Sequence, residues 1–184
     1  MSARDQILQA TLRLIGEKGI GAVTNRAVAR AAGVSLGSLT YHFPNQEDLL
    51  REALQTFVEN EIARINAHAK SLTGTTPANA PDEVEKAVLA IAHGPEQIAN
   101  LELHIHAART PALRETSTRS VAAYDRLATT VLTALGIPDA EHHAHAVVAM
   151  LYGLAVRRLA TGDTTATGTA DAFRLLLQGA LPRT

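Results

Sequence analysis

Apolar residues recur every three to four positions along most of the chain, which is the spacing of amphipathic α-helices. No segment shows the strict apolar–polar alternation of a half-buried strand, and no internal repeat is visible. The pattern therefore predicts an all-α chain of about nine helices. Their predicted bounds are residues 3–18, 25–32, 36–42, 46–69, 82–92, 96–108, 110–135, 140–159 and 170–181.

Capping and turn residues set the ends of these helices. Ser2, Asp82 and Asp139 each precede an apolar-periodic segment, and their short side chains can accept a hydrogen bond from an unpaired helical N–H. The segments 71–81 and 161–169 combine Thr, Gly, Asp and Pro, which favour turns over helix. We therefore expect loops at these two places.

Residues 24–43 form the most informative segment, because they predict two very short helices joined by a glycine turn. Thr24 and Ser35 are the predicted N-caps, and Gly33 can adopt the left-handed conformation that ends the first of them. Pro44 prevents the second from continuing. Two helices this short bury little apolar surface, and presenting the second helix to a DNA groove is their usual role.

This segment resembles the helix-turn-helix of the TetR family of bacterial transcriptional regulators, through the ungapped pattern T-x-R-x-V-A-x-x-A-G-V-S-x-G-S-L-x-x-H-F. The matching residues are Thr24, Arg26, Val28, Ala29, Ala32, Gly33, Val34, Ser35, Gly37, Ser38, Leu39, His42 and Phe43. Thr40 stands where the family often has Tyr, and Gln46 where it often has Lys. Beyond about residue 50, the chain resembles the family in length and helical character.

The resemblance implies that the second short helix enters the DNA major groove. Base or groove contacts are expected from Leu36, Gly37, Ser38 and Thr40, and phosphate contacts from Thr24, Asn25, Arg26, Ser35, Tyr41 and His42. This helix carries no Arg, Asn or Gln for bidentate base recognition, so we expect apolar and hydroxyl contacts helped by DNA shape. The alternative is a degenerate helix-turn-helix in which these are ordinary surface residues.

Charge and length refine this picture. The chain has 184 residues and a net charge of −1, but residues 1–46 hold five basic and two acidic residues, a net charge of +3. The asymmetry has the sign that DNA requires, and its modest size favours binding as a dimer. We expect a DNA-binding domain at residues 1–46 and a ligand-binding and dimerisation domain at residues 47–184.

The composition is that of a folded protein, with 46% hydrophobic and 19% charged residues. The chain has no cysteine, so disulfides and thiolate metal sites are excluded. It shows no signal peptide and no long apolar span, which leads us to expect a cytoplasmic protein. Without a G-x-S-x-G, Gly-rich phosphate loop or Walker motif, we expect neither an enzyme nor a cofactor.

The resemblance also implies a small-molecule site inside the C-terminal helical bundle. Glu102, His106 and Arg109 share one helical face and would orient an anionic or hydrogen-bonding ligand among apolar side chains. The alternative is a solvated face or an internal salt-bridge network. The full expected lining is Ile91, Ile98, Leu101, Glu102, Ile105, His106, Arg109, Tyr124, Leu127 and Met150.

The histidines raise the question of a metal. His142 and His145 share a helical face, as do Glu141 and His145, and zinc takes such ligands. The segment lacks an H-E-x-x-H motif, so we expect solvated or core histidines and no metal. The other histidines considered are His68, His93, His104, His106 and His143.

The last two predicted helices carry more apolar and small residues than one protomer needs to cover. A two-fold four-helix interface would bury them, whereas core packing in a monomer is the alternative. The expected interface residues are Val147, Val148, Leu151, Leu154, Ala155, Leu159, Ala172, Leu175, Leu176 and Gly179. The two DNA-reading helices of a dimer would lie about 34 Å apart and favour a palindromic site.

Together these observations predict a homodimeric transcriptional regulator, a repressor that a small ligand releases from a palindromic operator. The alternative is a ligand-independent architectural or adaptor protein that binds DNA, and a metal sensor is a further one.

Overall fold

The computed structural model describes residues 1–71, 76–91, 94–163, 165–166 and 168–180, without the side chains of 68–71 and 90–91. These residues form α-helices and one short 3-10 helix at Ile20–Ala22, which confirms the all-α prediction. The α-helices are α1 Ala3–Lys18, α2 Asn25–Ala32, α3 Leu36–His42, α4 Gln46–Ser71, α5 Ala80–Ile91, α6 Pro95–Ala107, α7 Pro111–Ala134, α8 Ala140–Thr161 and α9 Thr169–Ala180.

Several predicted helix ends are confirmed by their hydrogen bonds. Ser2 and Asp5 form a reciprocal capping box at the start of α1. The Thr24 hydroxyl accepts from the Ala27 N–H at 3.2 Å and the Ser35 hydroxyl from the Ser38 N–H at 3.0 Å. The ends of these short helices are therefore fixed locally, by side chains adjacent in sequence.

Two predicted caps are wrong. α5 begins at Ala80, so Asp82 lies inside its first turn instead of capping it. The Asn79 side chain, just before α5, accepts from the Thr76 N–H at 2.6 Å. Asp139 precedes α8 but has a left-handed backbone, φ 48°, and its side chain caps no N–H. In the predicted loop 161–169 the described residues between Thr161, the last residue of α8, and Thr169, the first of α9, are not helical.

The chain divides into two compact units, each of which combines two separate segments of the sequence. Unit 1 comprises residues 1–61 and 94–120, and unit 2 comprises residues 62–93 and 121–184. The expected division at residue 46 separates a DNA-binding part from a ligand-binding and dimerising part. It describes function instead of packing, and it stays a prediction.

The core of unit 1 is built around α1. Ile7, Leu8 and Ile15 of α1 are fully buried, together with Leu39 of α3 and Leu54 of α4. Burying each such side chain stabilises the fold by about 1.5–3 kcal/mol.

α6 also packs against α1 in unit 1. Gly16 allows this close approach, because a Cβ there would overlap the backbone of Pro95 at the start of α6. The helix-turn-helix and α6 are therefore parts of one packed unit.

Unit 2 has its own core, where α7, α8 and α9 meet. Leu132, Ile137, Val147, Phe173 and Leu177 are its main buried side chains. The Glu85 carboxylate of α5 accepts from the Ala170 N–H at 2.9 Å, which adds an acidic partner at the start of α9.

Among the described helices, none combines the length and the apolar character that crossing a membrane requires.

Candidate functional site

The helix-turn-helix is held from beneath by apolar side chains. Val28 of α2 and Leu39 of α3 are fully buried, and Phe43, which follows α3, is 1% exposed. Gly33 joins the two helices with φ 68° and ψ 29°, the left-handed conformation expected from the sequence. The opposite face of α3 is therefore turned outward.

The outer face of α3 presents several of the residues expected to contact bases. Leu36 is 45% exposed, Gly37 and Thr40 are exposed, and Ser38 is half-buried. The Thr40 hydroxyl donates to the backbone carbonyls of Leu36 and Gly37, both at 3.2 Å. Its oxygen lone pairs and methyl group remain the parts that a base would meet.

Residues expected to contact phosphate lie around this face. Thr24, Asn25, Arg26 and Ser35 are exposed at the starts of α2 and α3. Tyr41 is 83% exposed. Helix N-termini and hydroxyl groups can bind phosphate oxygens, and Arg26 adds a full positive charge.

Half-buried His42 lies edge-on to the Tyr41 ring, with 5.2 Å between ring centroids. Its ring also neighbours that of Phe43, at 6.4 Å. His42 is therefore closer to the apolar support than Tyr41 is.

Gln46 and Arg4 brace this element from outside. The Gln46 side-chain amide donates to the Val23 carbonyl at 2.7 Å, so it fixes the approach to α2. Arg4 forms an ion pair with Glu52 and places its guanidinium 5.9 Å from the centre of the Phe43 ring. In this chain the side chain at position 46 is thus engaged within the protein.

Two family models match the chain. Residues 7–53 match the model described as bacterial regulatory proteins, tetR family, and residues 75–183 match the tetracyclin repressor-like C-terminal domain. The chain belongs to the TetR family. Proteins of this family are DNA-binding transcription factors and not enzymes, which confirms the expectation that the chain is not an enzyme.

Curated relatives share the N-terminal region. The transcriptional repressor KstR2 of Mycolicibacterium smegmatis is 36% identical over 58 residues, which cover 32% of this chain and 28% of that protein. The regulator PksA of Bacillus subtilis is 40% identical over 62 residues, 34% of this chain and 30% of that protein. The matched part is thus less than a third of the length of these relatives.

Solved structures match over the whole length. The multidrug binding protein EbrR, in complex with imidazole, is 30% identical with a TM-score of 0.73, covering 100% of this chain and 97% of that one. A TetR-family member from Streptomyces coelicolor A3 is 29% identical with a TM-score of 0.76, covering 100% of both chains.

The expected ligand residues on α6 point in different directions. The Glu102 carboxylate accepts from the backbone N–H of Ile20 at 2.9 Å, so it caps the 3-10 helix. Ile105 is 61% exposed and Arg109 is exposed, so both side chains lie on the surface of the protomer, and their assignment to a ligand site stays a prediction. Ile98, Leu101 and His106 are half-buried.

Another face of α6 carries polar side chains that the sequence analysis did not assign to the ligand site, and we name Gln97, Asn100 and His104 the α6 polar strip. The Gln97 amide donates to the carboxyl Oε1 of buried Glu61 on α4 at 2.7 Å. His104 Nδ1 lies 2.6 Å from the hydroxyl of Ser117 on α7. Burial lowers the pKa of His104.

Asn100 lies between them and is only 3% exposed. Its Oδ1 has no hydrogen-bond partner among the described residues. Leaving a buried polar atom unsatisfied costs about 1–3 kcal/mol.

The remaining expected ligand residues lie in unit 2. Tyr124 and Tyr152 meet edge to face, with 5.9 Å between ring centroids. Leu127 is half-buried, and Met150 packs against the unit 2 core. The side chain of Ile91 lies outside the described residues. Their assignment to a ligand site stays a prediction.

The expected interface residues on α8 and α9 separate into two groups. Val147 and Val148 are at least nine-tenths buried, and Val147 packs in the core of its own unit, so core packing accounts for it. Leu159 is 38% and Leu175 70% exposed, and Gly179 is exposed. The half-buried members are Leu151, Leu154, Ala155, Ala172 and Leu176.

Val156, which the sequence analysis did not select, is 49% exposed on α8. Val156 precedes Leu159 by three positions, so the two residues share a face of α8, and this spacing could have identified Val156 from the sequence.

The histidines have other neighbours than a metal site would need. His145 Nδ1 lies 2.9 Å from the Asp125 carboxylate on α7, instead of joining Glu141 or His142. His142 and His143 contact each other edge to face. The described residues contain no group of three metal-ligating side chains. The His68 side chain and His93 lie outside the described residues.

Proposed function

We propose that this protein is a homodimeric transcriptional repressor that binds a palindromic operator and is released from it by a small organic ligand. The observation that carries the proposal is the outward face of α3, where Gly37 and Thr40 are exposed while Leu39 is fully buried. In this proposal residues 1–46 bind DNA, and residues 47–184 bind ligand and dimerise.

The chemistry of the exposed residues supports this use. Small and hydroxyl-bearing side chains let α3 approach base edges closely, and Leu36 can contact a thymine methyl group. Arg26, Tyr41 and the starts of α2 and α3 suit phosphate oxygens, which fix the register of the protein on the duplex. Because one protomer offers few positive charges, two protomers on one duplex are needed for useful affinity.

Ligand control is supported by resemblance over the whole chain. EbrR, described as a multidrug binding protein, was solved with imidazole and also with ethidium, malachite green and proflavin. We infer that this protein likewise responds to a small organic molecule. A ligand that lowers operator affinity tenfold must favour the non-binding state by about 1.4 kcal/mol.

Dimerisation and location complete the proposal. Val156, Leu159 and Leu175 are exposed apolar residues on α8 and α9, and a second copy that packs on these helices would cover them. A repressor acts where the bacterial chromosome lies, so the proposed location is the cytoplasm.

Selection of duplexes from a random-sequence pool tests the proposal. The purified full chain should enrich a palindrome whose half-sites lie about 10 base pairs, or a multiple of that, apart. A parallel selection with Gly37→Arg should enrich nothing. Failure of the folded wild-type chain to enrich any sequence would contradict the proposal and favour an adaptor protein.

A further inference from the structure

Asn100 is a buried amide whose Oδ1 meets no donor in the described part of the chain. We propose that Asn100 Oδ1 is a ligand-binding atom, and that the ligand is an organic molecule presenting an N–H group. This inference rests on the proposed ligand control and names the ligand chemistry.

Asn100 is the middle residue of the α6 polar strip. Gln97, Asn100 and His104 follow one another at spacings of three and four, so they share one face of α6. Gln97 reaches Glu61 on α4, and His104 reaches Ser117 on α7. Asn100 therefore lies between two hydrogen bonds that link α6 to the neighbouring helices of unit 1.

The missing hydrogen bond requires a donor group on the ligand. A carbonyl oxygen only accepts, so a carboxylate or phosphate of an anionic ligand would meet it lone pair against lone pair. An N–H group supplies the donor that Oδ1 lacks. Sites built to hydrogen-bond a ligand group discriminate strongly against an analogue without it.

A buried water is the competing explanation, because water also donates to isolated carbonyl groups. The two explanations predict opposite effects of Asn100→Leu, which has nearly the same shape. If the oxygen is unsatisfied in the ligand-free protein, its removal stabilises the fold. If the oxygen accepts a hydrogen bond from a buried water, its removal destabilises the fold.

The test uses two dyes that share one ring system. Proflavin carries two primary amino groups, and acridine orange carries dimethylamino groups in their place, so acridine orange lacks the exocyclic N–H donors and is bulkier by four methyl groups. A preference due to bulk alone would survive in Asn100→Leu, whereas one due to the hydrogen bond would not. The full chain should bind proflavin about tenfold more tightly than acridine orange when fluorescence is titrated without DNA. Asn100→Leu should abolish this preference and raise the midpoint of thermal unfolding. The exposed Asn60→Leu should change neither.

Four results would overturn the inference. The wild-type chain could bind the two dyes equally or bind neither, the preference could survive in Asn100→Leu, or the unfolding midpoint of that variant could fall. If Asn100→Leu does not fold, Asn100→Ala should lose the preference and Asn100→Asp, which keeps an acceptor oxygen, should retain it. Operator selection is independent of the dyes, so failure of the proposed function would be seen separately.

Discussion

The Glu102 carboxylate accepts a hydrogen bond from the backbone N–H of Ile20, 2.9 Å away, and so joins α6 to the turn that leads into α2. Gly16 of α1 and Pro95 of α6 also approach each other closely along their backbones. The helix-turn-helix is therefore held against α6 by packing on α1 and by a hydrogen bond to the turn before α2. We therefore expect Glu102 to position the helix-turn-helix for DNA binding.

Replacing Glu102 should weaken both the fold and operator binding. Glu102→Ala leaves the Ile20 N–H without its acceptor and should cost about 1–3 kcal/mol of unfolding free energy, with several-fold weaker operator binding. Glu102→Gln keeps an acceptor oxygen and should restore most of both. Chemical denaturation and fluorescence anisotropy measure the two effects. Equal operator affinity in Glu102→Ala and the wild type would contradict the positioning role.

Arg26 should contribute to operator binding through charge. If Arg26 neutralises one phosphate per protomer, Arg26→Gln should reduce the slope of log affinity against log salt by about 0.9 per protomer. The exposed Arg126 on α7 is the matched control, and Arg126→Gln should leave the slope unchanged. An unchanged slope in Arg26→Gln would remove this arginine from the interface.

His104 should make stability depend on pH. Burial lowers the pKa of His104 in the folded state, while the pKa of a histidine in the unfolded chain is about 6.5. The unfolded state therefore takes up the proton first, so stability present above about pH 6.5 is lost as the pH falls towards the folded pKa.

Denaturant titrations at about pH 7.5 and 5.5 measure this effect, because one differential proton changes stability by at most about 1.4 kcal/mol per pH unit. His104→Gln should show a smaller loss than the wild type. The exposed His142 provides the control variant His142→Gln. Identical losses in the wild type and His104→Gln would show that His104 is not responsible.

Leu175 should report on the proposed dimer interface. It is 70% exposed on α9, so Leu175→Glu should fold normally but place a charge where the second copy packs. Sedimentation velocity should then give a monomer. Ile105→Glu, which changes another exposed apolar residue at 61% exposure, should remain dimeric. A dimeric Leu175→Glu would locate the interface elsewhere.

The local features of the helix-turn-helix could be predicted because each depends on residues adjacent in sequence. The caps at Thr24 and Ser35 and the left-handed Gly33 follow from side-chain chemistry and backbone sterics over three or four positions. The outward position of Gly37 then follows from the apolar positions on α3. Long-range packing changes none of these features.

The faces of α6 could not be assigned in the same way. Polar residues occur on several sides of this helix, and the resemblance together with helical spacing selected Glu102 and His106 instead of Asn100 and His104. Which side is buried depends on α1 and α4, which are far away in sequence, and on α7, which follows α6 directly. The same limit applies to Asp139, whose left-handed backbone comes from the turn around it and not from its own capping propensity.

Fluorescence anisotropy of a labelled duplex carrying the enriched palindrome measures whether α3 reads the operator. A Cβ at Gly37 would meet only the Ser35 hydroxyl at 3.9 Å, so Gly37→Arg fits the fold but projects from α3 towards DNA. Wild type should bind two protomers per duplex, and Gly37→Arg should lose about a hundredfold in affinity. The exposed Thr130→Arg should match the wild type. Binding by Gly37→Arg within about twofold of the wild type would contradict α3 as the reading helix.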